Sequence, residues 1–149
     1  MKFISSLYDS LTGFSSVVIE HMGVNFIGTA RLHPDDAANA SEIAGCSYAE
    51  SRACIEALKY ERSLAKKDAE TCRNYIKACE CYKKWNSESP TAKAAYRQLN
   101  RKIKKVNDLT DEINDMMFSL DEAIWKRGVT VKAFNRRNKQ NRLNDKSEN

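Results

Sequence analysis

Apolar residues recur every three or four positions over two long stretches of the chain. This spacing is typical of a helix that packs lengthwise against another helix, so it predicts two long amphipathic helices. The seam of the first stretch, which also includes Arg62, consists of Ile55, Leu58, Ala65, Ala69, Cys72, Ile76 and Cys79. The seam of the second consists of Ala92, Ala95, Leu99, Ile103, Val106, Leu109, Ile113, Met116, Leu120 and Ile124.

A sharp reversal is predicted between the two stretches. The first helix is expected to end near Trp85, and Ser89 or Thr91 is expected to cap the second, because Pro90 cannot continue a helix. A short connection makes consecutive helices antiparallel. Residues 47–127 are therefore predicted to form an antiparallel coiled-coil hairpin of two helices, each roughly 50 to 60 Å long at about 1.5 Å per residue.

The outer ends of this hairpin carry their own signals. Ser47, followed three residues later by Glu50, fits a capping box that would start the first helix. Gly128 is the expected stop of the second helix. Val129, Thr130 and Val131 would then form a short extended segment, and residues 128–149 a basic tail that is partly disordered.

The pattern changes to alternation in residues 1–46. Ser15 to Glu20 is rich in β-branched residues, and Asn25 to Leu32 alternates apolar with polar positions, which predicts two strands around a turn at Met22-Gly23. Residues 3–12 are expected to form a short helical turn. Because a two-stranded hairpin is marginal alone, it should pack on the first long helix. The predicted fold is mostly α, with an N-terminal β-hairpin on a long helical hairpin.

Charge adds a candidate binding surface. The chain carries a formal net charge of +5, and residues 126–149 alone hold eight basic and two acidic side chains. Such asymmetry is typical of a segment that meets an anionic surface or stays solvated. The candidate nucleic-acid-binding residues are Arg97, Arg101, Lys102, Lys104, Lys105, Lys126, Arg127, Lys132, Arg136, Arg137, Lys139 and Arg142.

No catalytic or metal-binding pattern emerges, so an enzyme is not expected. The five cysteines are interpreted as free thiols at close helix contacts, with a zinc site as the weaker alternative because four ligands at loop-like spacing are absent. No cofactor is expected. No apolar run approaches the roughly 20 residues of a membrane span, and Asp9 interrupts any export signal, which favours the cytoplasm.

One segment resembles a known small domain. It comprises Phe26 and Gly28-Thr29-Ala30-Arg31-Leu32-His33-Pro34-Asp35-Asp36, followed by Gly45, Tyr48-Ala49, Arg52-Ala53 and Leu58. This pattern resembles the dsRBD-like domain of actinobacterial proteins and of small phage and prophage proteins. The resemblance covers about a third of the chain and supports the fold more than it supports RNA binding. Relative to the pattern of that domain, Ala44 is an apparent extra residue before Gly45.

The resemblance implies a β-hairpin whose second strand ends in a Pro-Asp turn and packs on the following helix. His33, Pro34, Asp36 and Arg52 are expected to form a hydrogen-bonded corner, in which Arg52 pairs with Asp36. A ligand site at this corner is the alternative.

Two functional hypotheses follow. The first is a non-enzymatic interaction protein of a phage or mobile element, similar to an anti-CRISPR protein, which regulates or inhibits a host protein or nucleoprotein complex in the host cytoplasm. The second is a DNA- or RNA-binding protein that uses the basic residues above. An acidic stripe is either a solvated flank or a mimic of phosphates, and a homodimer would bury partly exposed aromatic residues. The stripe comprises Asp111, Glu112, Asp115, Asp121 and Glu122.

Overall fold

The computed structural model describes residues 1–32, 40–82 and 85–147, and side chains within these ranges as far as residue 129, together with Lys132. It confirms the predicted fold class: a small antiparallel sheet precedes two long helices that pack together. The elements are β1 (Lys2–Asp9), β2 (Phe14–His21), β3 (Val24–Arg31), α1 (Glu42–Glu80) and α2 (Pro90–Ser147). No helix within these ranges is both long enough and apolar enough to cross a bilayer.

The predicted hairpin of β2 and β3 is confirmed. Its two strands pair antiparallel from Phe14 opposite Arg31 to His21 opposite Val24. The turn at Met22-Gly23 has φ angles of 54° and 76°. Two consecutive positive φ angles are those of the tight turn whose twist matches a right-twisted hairpin, which explains why the reversal occurs at this glycine.

The helical turn expected over residues 3–12 is wrong, because most of this segment forms β1. This strand pairs antiparallel with β2 from Lys2 opposite Glu20 to Asp9 opposite Phe14, so the sheet has three strands in the order β1-β2-β3. The apolar spacing of the segment suits a helix, but β2 offers a strand edge whose backbone groups need partners. Asp9 then shapes the turn into β2, since its carboxylate accepts bonds from the Leu11 amide (2.9 Å) and the Thr12 hydroxyl (2.6 Å).

The chain divides into two compact units. The first comprises Met1–Cys54 and Met116–Asn149 and holds the sheet with the beginning of α1 and the later part of α2. The second comprises Ile55–Asp115 and holds the remainder of both helices.

Small residues bring α1 close to the sheet in the first unit. Ala49 and Ala53 of α1 are fully buried, and a Cβ added to Gly28 of β3 would lie 1.8 Å from the Ala49 carbonyl oxygen. A Cβ on Gly45 would similarly lie 2.2 Å from the Ser15 hydroxyl oxygen. Helix and sheet therefore approach each other almost backbone to backbone.

In the second unit the predicted seam is confirmed as an antiparallel helix pair. Within this unit every seam position is buried or partly buried on both helices. Beside them, the Lys105 Nζ lies 2.9 Å from the Glu61 Oε1, and Lys102 pairs with Asp68. The fully or nearly buried residues are Ile55, Ala57, Leu58, Ala69, Ile76, Ala92, Leu109 and Ile113.

The start of α1 was predicted incorrectly and that of α2 correctly. The helix α1 begins at Glu42, where the Ser41 hydroxyl accepts the Ala44 amide at 3.3 Å, so Ser47 lies inside the helix rather than at its cap. The predicted cap of α2 is confirmed, because the Ser89 hydroxyl accepts the Ala92 amide at 3.1 Å.

Both predicted helix ends are wrong. The helix α1 ends at Glu80, before Trp85. The helix α2 continues past Gly128 to Ser147, so the expected stop and the extended segment 129–131 are corrected to helix. A glycine inside a helix costs only about 1 kcal/mol, which favourable neighbours offset.

Candidate functional site

A cavity of about 220 Å³ lies in the first unit, where β3, the beginning of α1 and the later part of α2 meet. Three arginines and two tyrosines contribute its polar wall, whereas the remaining lining is small or apolar. The lining residues are Tyr8, Gly13, Ala30, Arg31, Leu32, Ser41, Ala44, Gly45, Tyr48, Arg52, Ile124, Arg127 and Gly128.

Each arginine comes from a different element. Arg31 is the last residue of β3, Arg52 belongs to α1, and Arg127 belongs to α2. The Arg52 side chain is held in place, since its Nη1 donates to the Thr29 carbonyl oxygen on β3. Arg31 is exposed, and no ion pair joins it to another described residue.

The described residues that line this cavity carry a net positive charge. None of the described lining residues is acidic, and Ser41 together with Ala44 and Gly45 of the first turn of α1 contributes to the wall. The amino end of a helix carries a partial positive charge, which adds to that of the arginines. Tyr48 joins the elements, because its hydroxyl donates to the Ala123 carbonyl oxygen of α2 at 3.4 Å.

The predicted corner coincides with this cavity only in part. Arg52 lies on its wall, but its described partner is the Thr29 carbonyl. His33, Pro34 and Asp36 lie outside the described residues, so the pairing of Arg52 with Asp36 stays a prediction.

The predicted nucleic-acid-binding residues of the second unit separate into two groups. Arg97, Arg101 and Lys104 are exposed and form no ion pair among the described residues, and their spacing places them on the side of α2 opposite the buried seam. Lys102 and Lys105 instead pair with Asp68 and Glu61 across the helix pair. We call the three exposed residues the basic face.

The remaining predicted residues lie on the later part of α2. Lys126 pairs with Glu122 at 2.7 Å, Arg127 lines the cavity, and Lys132 is exposed. The side chains of Arg136, Arg137, Lys139 and Arg142 lie outside the described set, although their backbone belongs to α2.

The structure adds an exposed aromatic face that the sequence interpretation missed. Phe118, Trp125 and Val129 are 71%, 68% and 48% exposed, and intervals of seven and four residues place them on one side of α2. We call these three residues the aromatic face. Their helical spacing could have identified this face from the sequence. The three residues lie beside the longer apolar seam of α2, which is the stronger periodic signal.

The thiols do not assemble a metal site within the described residues, where no three His, Cys, Asp or Glu side chains come together. Cys54 is half-buried, and desolvation, reinforced by the negative charge of Glu50, raises the pKa of its thiol. A hydrogen bond with Cys79 raises the pKa of Tyr75. The raised pKa of Cys54 favours its neutral thiol, which is the form of a buried structural cysteine.

Three comparisons with known proteins returned no match for this chain: no family model, no curated protein and no solved structure is similar to it.

Proposed function

We propose that this protein acts by binding another protein through the aromatic face of α2, rather than by transforming a substrate. The observation that carries the proposal is the solvent exposure of Phe118 and Trp125, two large rings on the same side of one helix. Singly exposed apolar residues are ordinary on protein surfaces, whereas aligned aromatic residues are typical of interaction sites.

The partner that fits this face is a protein with a hydrophobic groove that accepts a helix. Anchors at such helical intervals insert into the pockets of a groove. Each ring buries about 150 to 250 Å² when it is covered, so two rings supply the centre of a specific contact. Charged residues, such as Asp121 and Lys126, flank the face and suit a polar rim.

The biological setting is part of the same proposal. The resemblance of residues 26–58 to small phage and prophage proteins favours a mobile-element protein that regulates or inhibits a host macromolecular machine, in the manner of an anti-CRISPR protein. Binding to such a machine needs an accessible contact surface and no chemistry of its own, and the aromatic face meets that requirement.

A capture experiment with matched variants tests the aromatic face. The wild-type chain, Phe118→Ala/Trp125→Ala and Tyr82→Ala are immobilised and exposed to lysate of a candidate host. Tyr82 is the control because it is also aromatic and 74% exposed, but belongs to the second unit. We expect one set of proteins to bind the wild type and Tyr82→Ala and to be lost from the double variant, which circular dichroism should show to be folded.

Two results would contradict the proposal. Either the double variant retains every protein that the wild type captures, or the wild type captures nothing from the host lysate. Purification of the captured partner then allows its affinity to be compared among the three chains. Loss of two anchors, each worth about 1 to 2 kcal/mol, should weaken binding by roughly 30-fold to 700-fold.

A second function, nucleic-acid binding, is favoured by the basic face. Arg97, Arg101 and Lys104 offer three cations at helical spacing that form no ion pair with any other described residue. A cation that contacts a phosphate releases counterions, so affinity falls as salt rises.

An electrophoretic shift with a DNA or RNA duplex between about 50 and 200 mM salt tests this second function. Neutralising the basic face with glutamine should lower the slope of log affinity against log salt by about 2.7, at roughly 0.9 for each phosphate contact. The control, Lys102→Gln/Lys105→Gln, removes cations that are already paired and should change the slope much less. An equal change in both variants would show that net charge alone is responsible. Glutamine at Arg136, Arg137, Lys139 and Arg142 tests the predicted tail in the same assay.

A further inference from the structure

We propose that the cavity in the first unit binds a small phosphate-bearing anion. Arg31, Arg52 and Arg127 reach its wall from three different elements, although their backbones are far apart in sequence. The fold therefore concentrates positive charge at one concave place. This inference does not depend on the aromatic face or on the basic face.

The chemistry of the wall matches phosphate. A guanidinium presents several N–H donors in a planar fork that fits two oxygens of one phosphate, and it stays charged at every physiological pH. The amino end of α1 adds the partial positive charge of a helix dipole beside the arginines, whereas the Ala44 and Gly45 amides themselves donate to Ser41. Tyr8 provides a hydroxyl group beside these cations, and Tyr48, whose hydroxyl donates to the Ala123 carbonyl, provides ring surface.

The fold prepares part of this site in advance. The Arg52 guanidinium is already fixed by its bond to the Thr29 carbonyl, yet it has further N–H donors beyond the one that makes this bond. Donors that are held in position lose less conformational freedom when a ligand binds. Arg31 is exposed and adds a cation that can close over the ligand.

The size of the cavity restricts the ligand. About 220 Å³ is below the roughly 300 to 1,000 Å³ of pockets that hold drug-sized molecules. Inorganic phosphate or a phosphate monoester of a small organic group fits this space better than a dinucleotide does. The two sources share their chemistry at the arginines and differ only in the organic group.

Isothermal titration calorimetry on the full chain tests the site with inorganic phosphate, ribose 5-phosphate and ribose. We expect both phosphates to bind and ribose alone to give no heat. Arg31→Gln should weaken phosphate binding roughly tenfold, which corresponds to about 1.4 kcal/mol. The control variant Arg73→Gln removes an exposed arginine of the second unit that belongs to neither the cavity nor the basic face, and it should leave the affinity unchanged. A tighter constant for ribose 5-phosphate would assign the site to a monoester, and equal constants would assign it to the free anion.

The proposal is overturned if neither phosphate binds the wild type, or if Arg31→Gln and Arg73→Gln weaken binding equally. A further variant changes two aspartates between β3 and α1. Asp35 and Asp36 follow Leu32 closely in sequence and lie outside the described residues. Replacing both with asparagine should preserve or strengthen binding, because the arginines are the groups that hold the anion. Loss of binding in that variant would also overturn the proposal. Unchanged binding in Phe118→Ala/Trp125→Ala separates this site from the aromatic face.

Discussion

Gly28→Ala should destabilise the first unit strongly, although it replaces only one hydrogen by a methyl group. Gly28 lies in β3 opposite Val17 and faces α1. The added Cβ would lie 1.8 Å from the Ala49 carbonyl oxygen and 2.5 Å from the Ala53 amide nitrogen. Both contacts are with helix backbone, so no side-chain rotation relieves them.

The cost can be estimated from this geometry. Real Cβ contacts are longer than 3.0 Å, so α1 must retreat from β3 by about 1 Å near Ala49. Overpacking of a core costs about 1 to 3 kcal/mol where side chains can adjust, and a backbone clash belongs at the upper end of that range. We expect a loss of about 3 kcal/mol, which lowers the melting temperature of a chain of this size by roughly 6 to 12 °C.

Thermal and urea unfolding followed by circular dichroism measure this loss, and Gly128→Ala is the matched control. A Cβ on Gly128 meets no atom within 4 Å, and the residue lies inside α2, so alanine should stabilise the helix by about 1 kcal/mol. The same substitution should therefore have opposite signs at the two glycines. If Gly28→Ala were as stable as the wild type, α1 would not pack on β3 as closely as described.

Three further substitutions probe separate features. Ile113→Ala should lower the free energy of unfolding by about 2 to 5 kcal/mol, because Ile113 is 2% exposed in the helix pair; a loss below 1 kcal/mol in urea unfolding would contradict this packing. Ser15→Ala should raise the free energy of unfolding by about 1 kcal/mol, since the buried Ser15 hydroxyl has no hydrogen-bond partner among the described residues; a clear loss of stability would reveal a partner. The bond from the Thr12 hydroxyl, more than the Leu11 amide, lowers the pKa of Asp9, so Thr12→Ala should raise that pKa towards its ordinary value in an NMR titration. A lowered pKa stabilises the fold at pH values above the unfolded-state pKa, and this contribution is lost as pH falls through the folded-state pKa. The wild type should therefore be more stable than Thr12→Ala at neutral pH, and the two stabilities should converge in acid. An unchanged titration would exclude the Asp9–Thr12 bond.

Local patterns predicted the elements whose sequence signals agree with their packing. The helix pair follows from its apolar seam, and the hairpin of β2 and β3 follows from alternation around a glycine turn. Ser89 was correctly expected as a cap because Pro90 follows it directly. In each case the residues close together in sequence carry enough signal to predict the secondary structure.

The incorrect predictions have a common physical origin. Residues 3–12 have helical spacing, but their conformation depends on pairing with β2, a contact that no local pattern reports. Ser47 has the composition of a cap, yet Ser41 precedes it and takes that role. Gly128 resembles a stop, but a single glycine does not outweigh the helix on both sides of it.

The cavity could not be predicted for a related reason. Arg31, Arg52 and Arg127 are separated by 20 and 74 residues in sequence, and only the packing of three elements brings them to one wall. Of the three, only Arg127 was counted with the basic residues, and Arg52 was assigned to a corner with Asp36. Clusters of charged residues along the chain are visible in the sequence, whereas a binding site depends on which charged side chains the fold brings close together.

Residues 26–58, on which the proposed resemblance to a dsRBD-like domain rests, combine two separable physical roles. Gly28, Ala49 and Ala53 are buried where α1 meets β3, so their small size determines how closely helix and sheet pack. Arg31 and Arg52 lie within the same segment, but on the wall of the cavity. Exchanges at the small residues should therefore change stability, whereas an exchange at the exposed Arg31 should change ligand binding and leave the fold intact. Because the small residues alone would explain a shared fold, similarity in this segment is evidence for the packing first. It becomes evidence for a common ligand only where the two arginines are present as well.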